Sequence, residues 1–324
     1  VNKALLVRNG KIELSPIINK KGLIPLLKVE ACGVCATDRK AFADPPASMV
    51  LPRVLGHECC GTLLVDLPHV PQGTRVALWP ALACGACVLC GADKPHLCAR
   101  IRLFGLHLDG GFSHTLFVPA PLLDRVVVLP LPAALAAQQA VFAEPLGCVL
   151  HALAKVARTP RRVMIHGAGL MGRVAAQAAR CIWPAADIAL HDPDAERAAI
   201  PPGAGEMVAT PHPADLAFIA CSSRAAVDAA LDLLESGGTL LLFSGLPRQQ
   251  NSLVVDHNRL HRQEQTLVGA YGCTPQDMVA AMELMAGGAI DVADYITKTL
   301  ALVDLEKELA SPPAPHDFKT IIVP

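Results

Sequence analysis

The chain has 324 residues, room for two domains, and its 28 Lys and Arg against 29 Asp and Glu leave a formal net charge of −1, with no electrostatic footprint for nucleic acid or an anionic membrane. Hydrophobic residues reach 52%, yet Pro, Gly or charge interrupts each apolar stretch before the roughly 18–20 residues a spanning helix needs. The opening residues lack the order of a signal peptide and the 12 cysteines are spread too thinly for a disulfide scaffold, so the expectation is a cytoplasmic protein.

Residues 1–150 carry short β-branched segments separated by Pro and Gly, which predicts an irregular all-β lobe. Its strands are expected at Leu23–Val29, Gly61–Val65, Thr74–Leu78 and Phe112–Val118. Three fragments of this region carry chemistry: G-V-C-A-T-D with Cys35, Thr37 and Asp38, G-H-E with His57 and Glu58, and A-E-P-L with Glu144. A thiolate, an imidazole and a carboxylate with one open position make up a catalytic zinc site, where the metal acidifies an alcohol hydroxyl. Singly, each fragment has a plainer reading: a core cysteine, a surface His–Glu pair, and a Glu-Pro helix start.

Cys84, Cys87, Cys90 and Cys98 form a C-x2-C-x2-C-x7-C array. Two-residue gaps let neighbouring thiolates face one tetrahedral zinc at about 2.3 Å, in a closed site that braces a loop. A disulfide pair or an iron–sulfur cluster are the alternatives, although a ferredoxin-type run usually follows its fourth cysteine with proline, and Ala99 stands there. The remaining cysteines, apart from Cys35, read as reduced core residues.

The character of the chain changes near Arg158-Thr159-Pro160, after which strands and helices alternate. Strands are predicted at Arg162–His166, Asp187–His191, Leu216–Ala220 and Thr239–Ser244, and helices at Leu170–Cys181, Ala225–Glu235 and Pro275–Ala286. This alternation predicts an α/β fold with a doubly wound parallel sheet covered by helices. H-G-A-G-L-M-G puts Gly167, Gly169 and Gly172 in G-x-G-x-x-G spacing between a strand and a helix, the context in which the motif cradles a dinucleotide. The helix start at Leu170 and Met171 would offer N–H groups to a pyrophosphate. Asp192 stands 20 residues beyond Gly172, where a carboxylate accepts both ribose hydroxyls of NAD and repels the 2′-phosphate of NADP; alternatively it only begins the turn D-P-D. Arg197 flanks the adenine or sits on a solvated helix. Ile200–Asp215 is rich in Pro and Gly, and Ile296–Leu300 and Thr320–Val323 again look β-like.

Taken together, these motifs resemble the zinc-dependent medium-chain dehydrogenase family of alcohol, sorbitol and threonine dehydrogenases. D-G-G-F at Asp109–Phe112 and G-G-T-L at Gly237–Leu240 extend the resemblance over essentially the whole chain. It implies a GroES-like catalytic domain over 1–152 with a structural zinc lobe at 81–100, a Rossmann NAD-binding domain over 153–287, and a return to the catalytic domain over 288–324. It further implies two zinc ions per chain. Cys35, His57 and Glu58 would be catalytic ligands, Glu144 a fourth ligand or the holder of a water, Thr37 the first proton carrier, and Asp38 the partner that orients His57. His107 or His151 would relay the proton or be packed histidines. The implied reaction moves a hydride between NAD(H), less readily NADP(H), and a secondary alcohol or ketone, with a polyol, cyclitol, sugar alcohol or amino alcohol favoured. A tailoring sugar or cyclitol dehydrogenase, and a non-catalytic NAD and zinc sensor, are the other readings. The Arg-Tyr pair of sorbitol dehydrogenases has no counterpart in G-A-Y-G-C-T at 269–274. A homodimer or homotetramer is expected, from the resemblance and from Thr239–Ser244 read as an apolar sheet edge.

Overall fold

A computed structural model describes residues 3–8, 11–16, 22–201 and 203–324, with side chains from residue 22 onward. The chain divides into two compact units, 1–147 with 273–324, and 148–272. The return to the first unit therefore begins at Cys273 rather than at 288. The helix Pro275–Ala286, expected with the Rossmann domain, belongs to the first unit. Its Met278 lies so close to Gly147 that a Cβ there would stand 3.2 Å from it, and Trp79 Nε1 donates to Cys273 O at 3.0 Å.

The first unit is built on a seven-stranded sheet around the long strand Leu23–Gly33. One edge of that strand pairs with Glu58–Leu63. The other pairs first with Thr115–Pro119 and then with Lys319–Val323. Gly61 makes the first pairing possible, since a Cβ would come within 2.1 Å of Lys28 O where the register shifts between Val29 and Ala31. A smaller sheet joins Lys3–Arg8, Lys11–Pro16 and Arg53–Val54. The core of this unit is apolar, with Leu26, Leu27, Leu63, Val76, Phe104 and Phe112 fully or almost fully buried. Ala81–Leu82 pairs with Arg102–Leu103 and closes the base of the four-cysteine lobe.

The second unit is a six-stranded parallel sheet. In chain order its strands are Arg162–His166, Asp187–His191, Glu206–Met207, Ala214–Ile219, Leu234–Leu242 and Thr266–Gly269. In space they run third, second, first, fourth, fifth, sixth, the order of a Rossmann sheet. The helix Leu170–Ile182 buries Val174, Ala175, Ala178 and Ala179 against it. One expectation needs correction. The outer strand is Thr266–Gly269, which covers Leu234–Leu242, so Thr239–Ser244 is no sheet edge. The third and fourth strands are joined by the six residues Val208–Pro213 without a helix, although such crossovers commonly take a dozen residues or more. These six residues are few for a helix, and Pro211 and Pro213 among them disfavour one. Among the described residues no helix is long and apolar enough to cross a membrane. None of the twelve cysteines is in a disulfide, and Cys181 is exposed rather than part of the core.

Candidate metal and nucleotide sites

Cys35 follows the long strand and stands at the N-cap of the helix Ala36–Ala43. His57 and Glu58 arrive from the paired strand, and one donor atom each from Cys35, His57 and Glu58 lies within 4.8 Å of the others. Asp38 organises the trio from behind and is almost fully buried. Its Oδ2 accepts from Cys35 N at 2.9 Å and its Oδ1 from Gly56 N at 3.0 Å, while His57 Nδ1 lies 3.6 Å from Oδ1. Burial disfavours a charged His57, but the Asp38 carboxylate outweighs it and holds the imidazole pKa well above its ordinary value. With Nδ1 turned to Asp38, Nε2 is the nitrogen left for a metal.

Glu58 is covered by a residue that sequence reading overlooked. Lys319, from the strand Lys319–Val323, places Nζ 2.6 Å from Glu58 Oε2, and both side chains are at most 3% exposed. Phe142 lies under the ammonium, 5.8 Å from Nζ to the ring centroid. Burial opposes the charge on Lys319, but Glu58, Cys35 and Glu144 together raise its pKa. Gly33 is what admits the Glu58 carboxylate, since a Cβ there would stand 2.2 Å from Oε2. The only sequence signal for Lys319 is a lysine opening the run K-T-I-I-V.

The other expected residues are placed as follows. Glu144 opens the helix Ala143–Leu153 and stands outside the Cys35, His57 and Glu58 group, with its carboxylate within 4.8 Å of Cys273 Sγ. It is still near enough to act on Lys319. Thr37 is exposed in the first turn of the Cys35 helix. His107 accepts a hydrogen bond from Leu103 N at 3.0 Å through Nδ1 and so stitches its own turn. His151 lies on the Ala143–Leu153 helix, half-buried.

The four cysteines of the lobe converge, with all sulfurs within 4.8 Å of one another. The Sγ separations are 3.5 Å for Cys87–Cys90 and 3.9 Å for Cys84–Cys90 and Cys87–Cys98. Four sulfurs around a tetrahedral zinc at about 2.3 Å stand about 3.8 Å apart, whereas a disulfide would need about 2.05 Å. The donor set thus fits a closed zinc site. The Ala86 N–H is the main influence that lowers the Cys84 pKa to about 5, whereas burial lifts Cys90 to about 11.

In the second unit each glycine of the loop has its own reason. Gly167 has φ +102°, and a Cβ there would stand 2.9 Å from Cys221 Cβ. A Cβ on Gly169 would meet nothing within 4 Å, which leaves open the space before the helix that a pyrophosphate takes. A Cβ on Gly172 would stand 1.9 Å from Gly167 O, so only glycine lets the helix approach the turn. Leu170 and Met171 form the half-buried first turn above the open face. Asp192 follows the second strand and is nearly buried. Its Oδ2 accepts from Ala168 N at 2.8 Å and its Oδ1 from Asp194 N at 3.0 Å, while Arg197 Nη1 approaches Oδ2 at 3.5 Å. Asp192 is therefore tied to the glycine loop, a connection the sequence spacing left open.

Comparison with known proteins agrees with this anatomy. Residues 25–131 match the alcohol dehydrogenase GroES-like domain. The chain is 30% identical over 291 residues to the L-galactonate-5-dehydrogenase of Escherichia coli K12, covering 84% of this chain and 83% of that protein. Among solved structures, a zinc-binding dehydrogenase from Sinorhizobium meliloti 1021 bound to NADP superposes with a TM-score of 0.87 at 26% identity, over 100% of this chain and 99% of that one. An Escherichia coli CFT073 alcohol dehydrogenase complexed with NADH superposes at 0.86 and 22% identity, over 99% of each chain. The chain belongs to the zinc-type medium-chain dehydrogenase family, with a GroES-like and a Rossmann domain.

Proposed function

We propose that the protein is a zinc-dependent alcohol dehydrogenase that moves a hydride between NAD(H) and a secondary alcohol or ketone on a hydroxyl-rich carbon skeleton, such as a polyol, sugar acid, cyclitol or amino alcohol. The observation that carries this reading is the convergence of Cys35, His57 and Glu58 within 4.8 Å in the unit braced by the four-cysteine lobe. When bound there, zinc supplies a Lewis acid that acidifies an alcohol hydroxyl. Cys35 and His57 are its ligands, and Asp38 fixes the ring orientation of His57. Lys319 balances the Glu58 carboxylate, so the donor set is less anionic than its residue types imply. Glu144, outside that group, accepts hydrogen bonds from neighbouring substrate hydroxyls, and Thr37 carries the alcohol proton outward. A second zinc sits in the four-cysteine lobe and holds it folded. Asp192 accepts the ribose hydroxyls of NAD(H). The twelve cysteines, none of them in a disulfide, suit a reducing compartment such as the cytoplasm.

The test is a panel of polyols, sugar acids, amino alcohols and simple alcohols, offered with NAD⁺ and with NADP⁺ to the zinc-replete protein and followed at the absorbance of the reduced nicotinamide. Turnover of a hydroxyl-rich secondary alcohol with NAD⁺ is expected, faster than ethanol. Turnover confined to primary monohydric alcohols, or NADP⁺ used at least as well, would overturn the corresponding half of the reading.

A further inference from the structure

Arg173, the residue after the third glycine of the loop, is fully buried. Its guanidinium is spent on backbone carbonyls from two places in the second unit. Nε donates to Ala168 O in the glycine loop at 2.7 Å. Nη2 donates to Arg197 O and Ile200 O at 3.0 Å each, and Nη1 to Pro201 O. Desolvating a guanidinium is costly unless its donors are met, and here they are met by carbonyls around the end of the four-residue helix Ala195–Ala198, where the helix dipole is negative.

These bonds close a ring. Ala168 accepts from Arg173 through its carbonyl oxygen and donates to Asp192 Oδ2 through its N–H, on the two peptides that flank its Cα. Asp192 Oδ2 faces Arg197 Nη1 at 3.5 Å, and Arg197 O returns to Arg173. Asp194 Oδ1 caps the short helix by accepting from Arg197 N, and Arg173 joins that capped turn to the glycine loop.

We propose that Arg173 is the positioning residue of the nucleotide site, setting the preference for NAD(H) over NADP(H) by holding Asp192 and Arg197 in register with the glycine loop. The inference rests on the reading of that loop as the dinucleotide site. With Arg173 in place, the Arg197 side chain stays on Asp192 and the carboxylate keeps its aim at the ribose. Without it, the turn carrying Arg197 loses its tie to the glycine loop and can shift the Arg197 guanidinium from Asp192 toward a 2′-phosphate, so NADH binding weakens more than NADPH binding.

Binding of NADH and of NADPH is titrated by nicotinamide fluorescence, without alcohol, for the unaltered protein, Arg173→Met and Arg173→Lys, with urea midpoints measured in parallel. Arg173→Met should weaken NADH binding about tenfold and reduce the NADH-to-NADPH affinity ratio about fivefold or more. Arg173→Lys keeps the charge but lacks the fork, so it should fall between, and it carries the test if the Met variant does not fold. A ratio unchanged in the folded variants, whatever their loss of stability, makes Arg173 a structural brace and overturns the proposal, as does failure of both variants to fold. An unaltered protein that binds neither nucleotide overturns the dinucleotide reading itself, an outcome distinct from tight NADH binding with an unmoved ratio.

Discussion

Lys319 and Glu58 meet at 2.6 Å with almost no solvent, and at such places the desolvation of each charge is tolerable only because the other is present. Removing one partner therefore costs more than the pair itself is worth. Lys319→Met should destabilise the protein by about 3–5 kcal/mol, and Lys319→Arg much less, because the positive charge stays. Adding Glu58→Gln to Lys319→Met should recover part of the loss, since no carboxylate is then stranded. Urea midpoints for the two single variants and the double variant check this, and additive losses would mean that the two residues do not interact. The same scale shows where reading a sequence runs out. Cys35, His57 and Glu58 were legible because few residue types ligate zinc and each stands in a short distinctive fragment. Lys319 and Arg173 were not, because a lysine beside an apolar run and an arginine on a helix ordinarily reach for water. Only the tertiary fold shows that one covers a carboxylate and the other is walled in by carbonyls.

Secondary-structure elements divide along a similar line. The strands Arg162–His166 and Asp187–His191 and the helix Pro275–Ala286 fall where periodicity and flanking residues place them. The last has Thr274 capping its N-terminus, with Thr274 Oγ1 accepting from Asp277 N at 3.2 Å. The strand Thr266–Gly269 escaped notice because four residues between Gln265 and Ala270 carry too little pattern to stand out. The four-cysteine lobe is the opposite case: its regular structure amounts to one turn of helix at Val88–Gly91, one 3-10 turn at Pro95–Leu97 and the two-residue pair at its base. With so little regular hydrogen bonding, a zinc held by the four cysteines would contribute folding energy there. Cys90→Ser should lose one zinc per chain by elemental analysis and open residues 84–98 to limited proteolysis, whereas Cys35→Ser should leave the lobe intact. A Cys90→Ser protein with full metal content and an uncut lobe would remove the structural-zinc assignment.

At the scale of the whole molecule, the outermost strand of the second unit's sheet is Thr266–Gly269, short and, among the described residues, hydrogen-bonded on one side only. An unpaired edge of this kind invites a second copy of the chain. A homodimer or homotetramer is expected, and Val268→Pro, which removes a donor and bends the edge, should shift it toward monomer. Light scattering that gives 34.0 kDa for the unaltered protein at micromolar concentration would exclude the assembly. The path of the chain also has a consequence in time. Lys319–Val323 is an interior strand of the first unit's sheet, between Leu23–Gly33 and Ile296–Ala301, and all of residues 148–272 intervene before it. On the ribosome, the strand bearing Cys32 and Gly33 must wait with one flank open while the nucleotide-binding unit is made and can fold. Until residues 319–323 emerge, the Glu58 carboxylate has no counter-ion and the exposed flank is free to pair with any passing strand. For this nascent chain, the interval between the two segments of its first unit is the window in which a chaperone has the most to do.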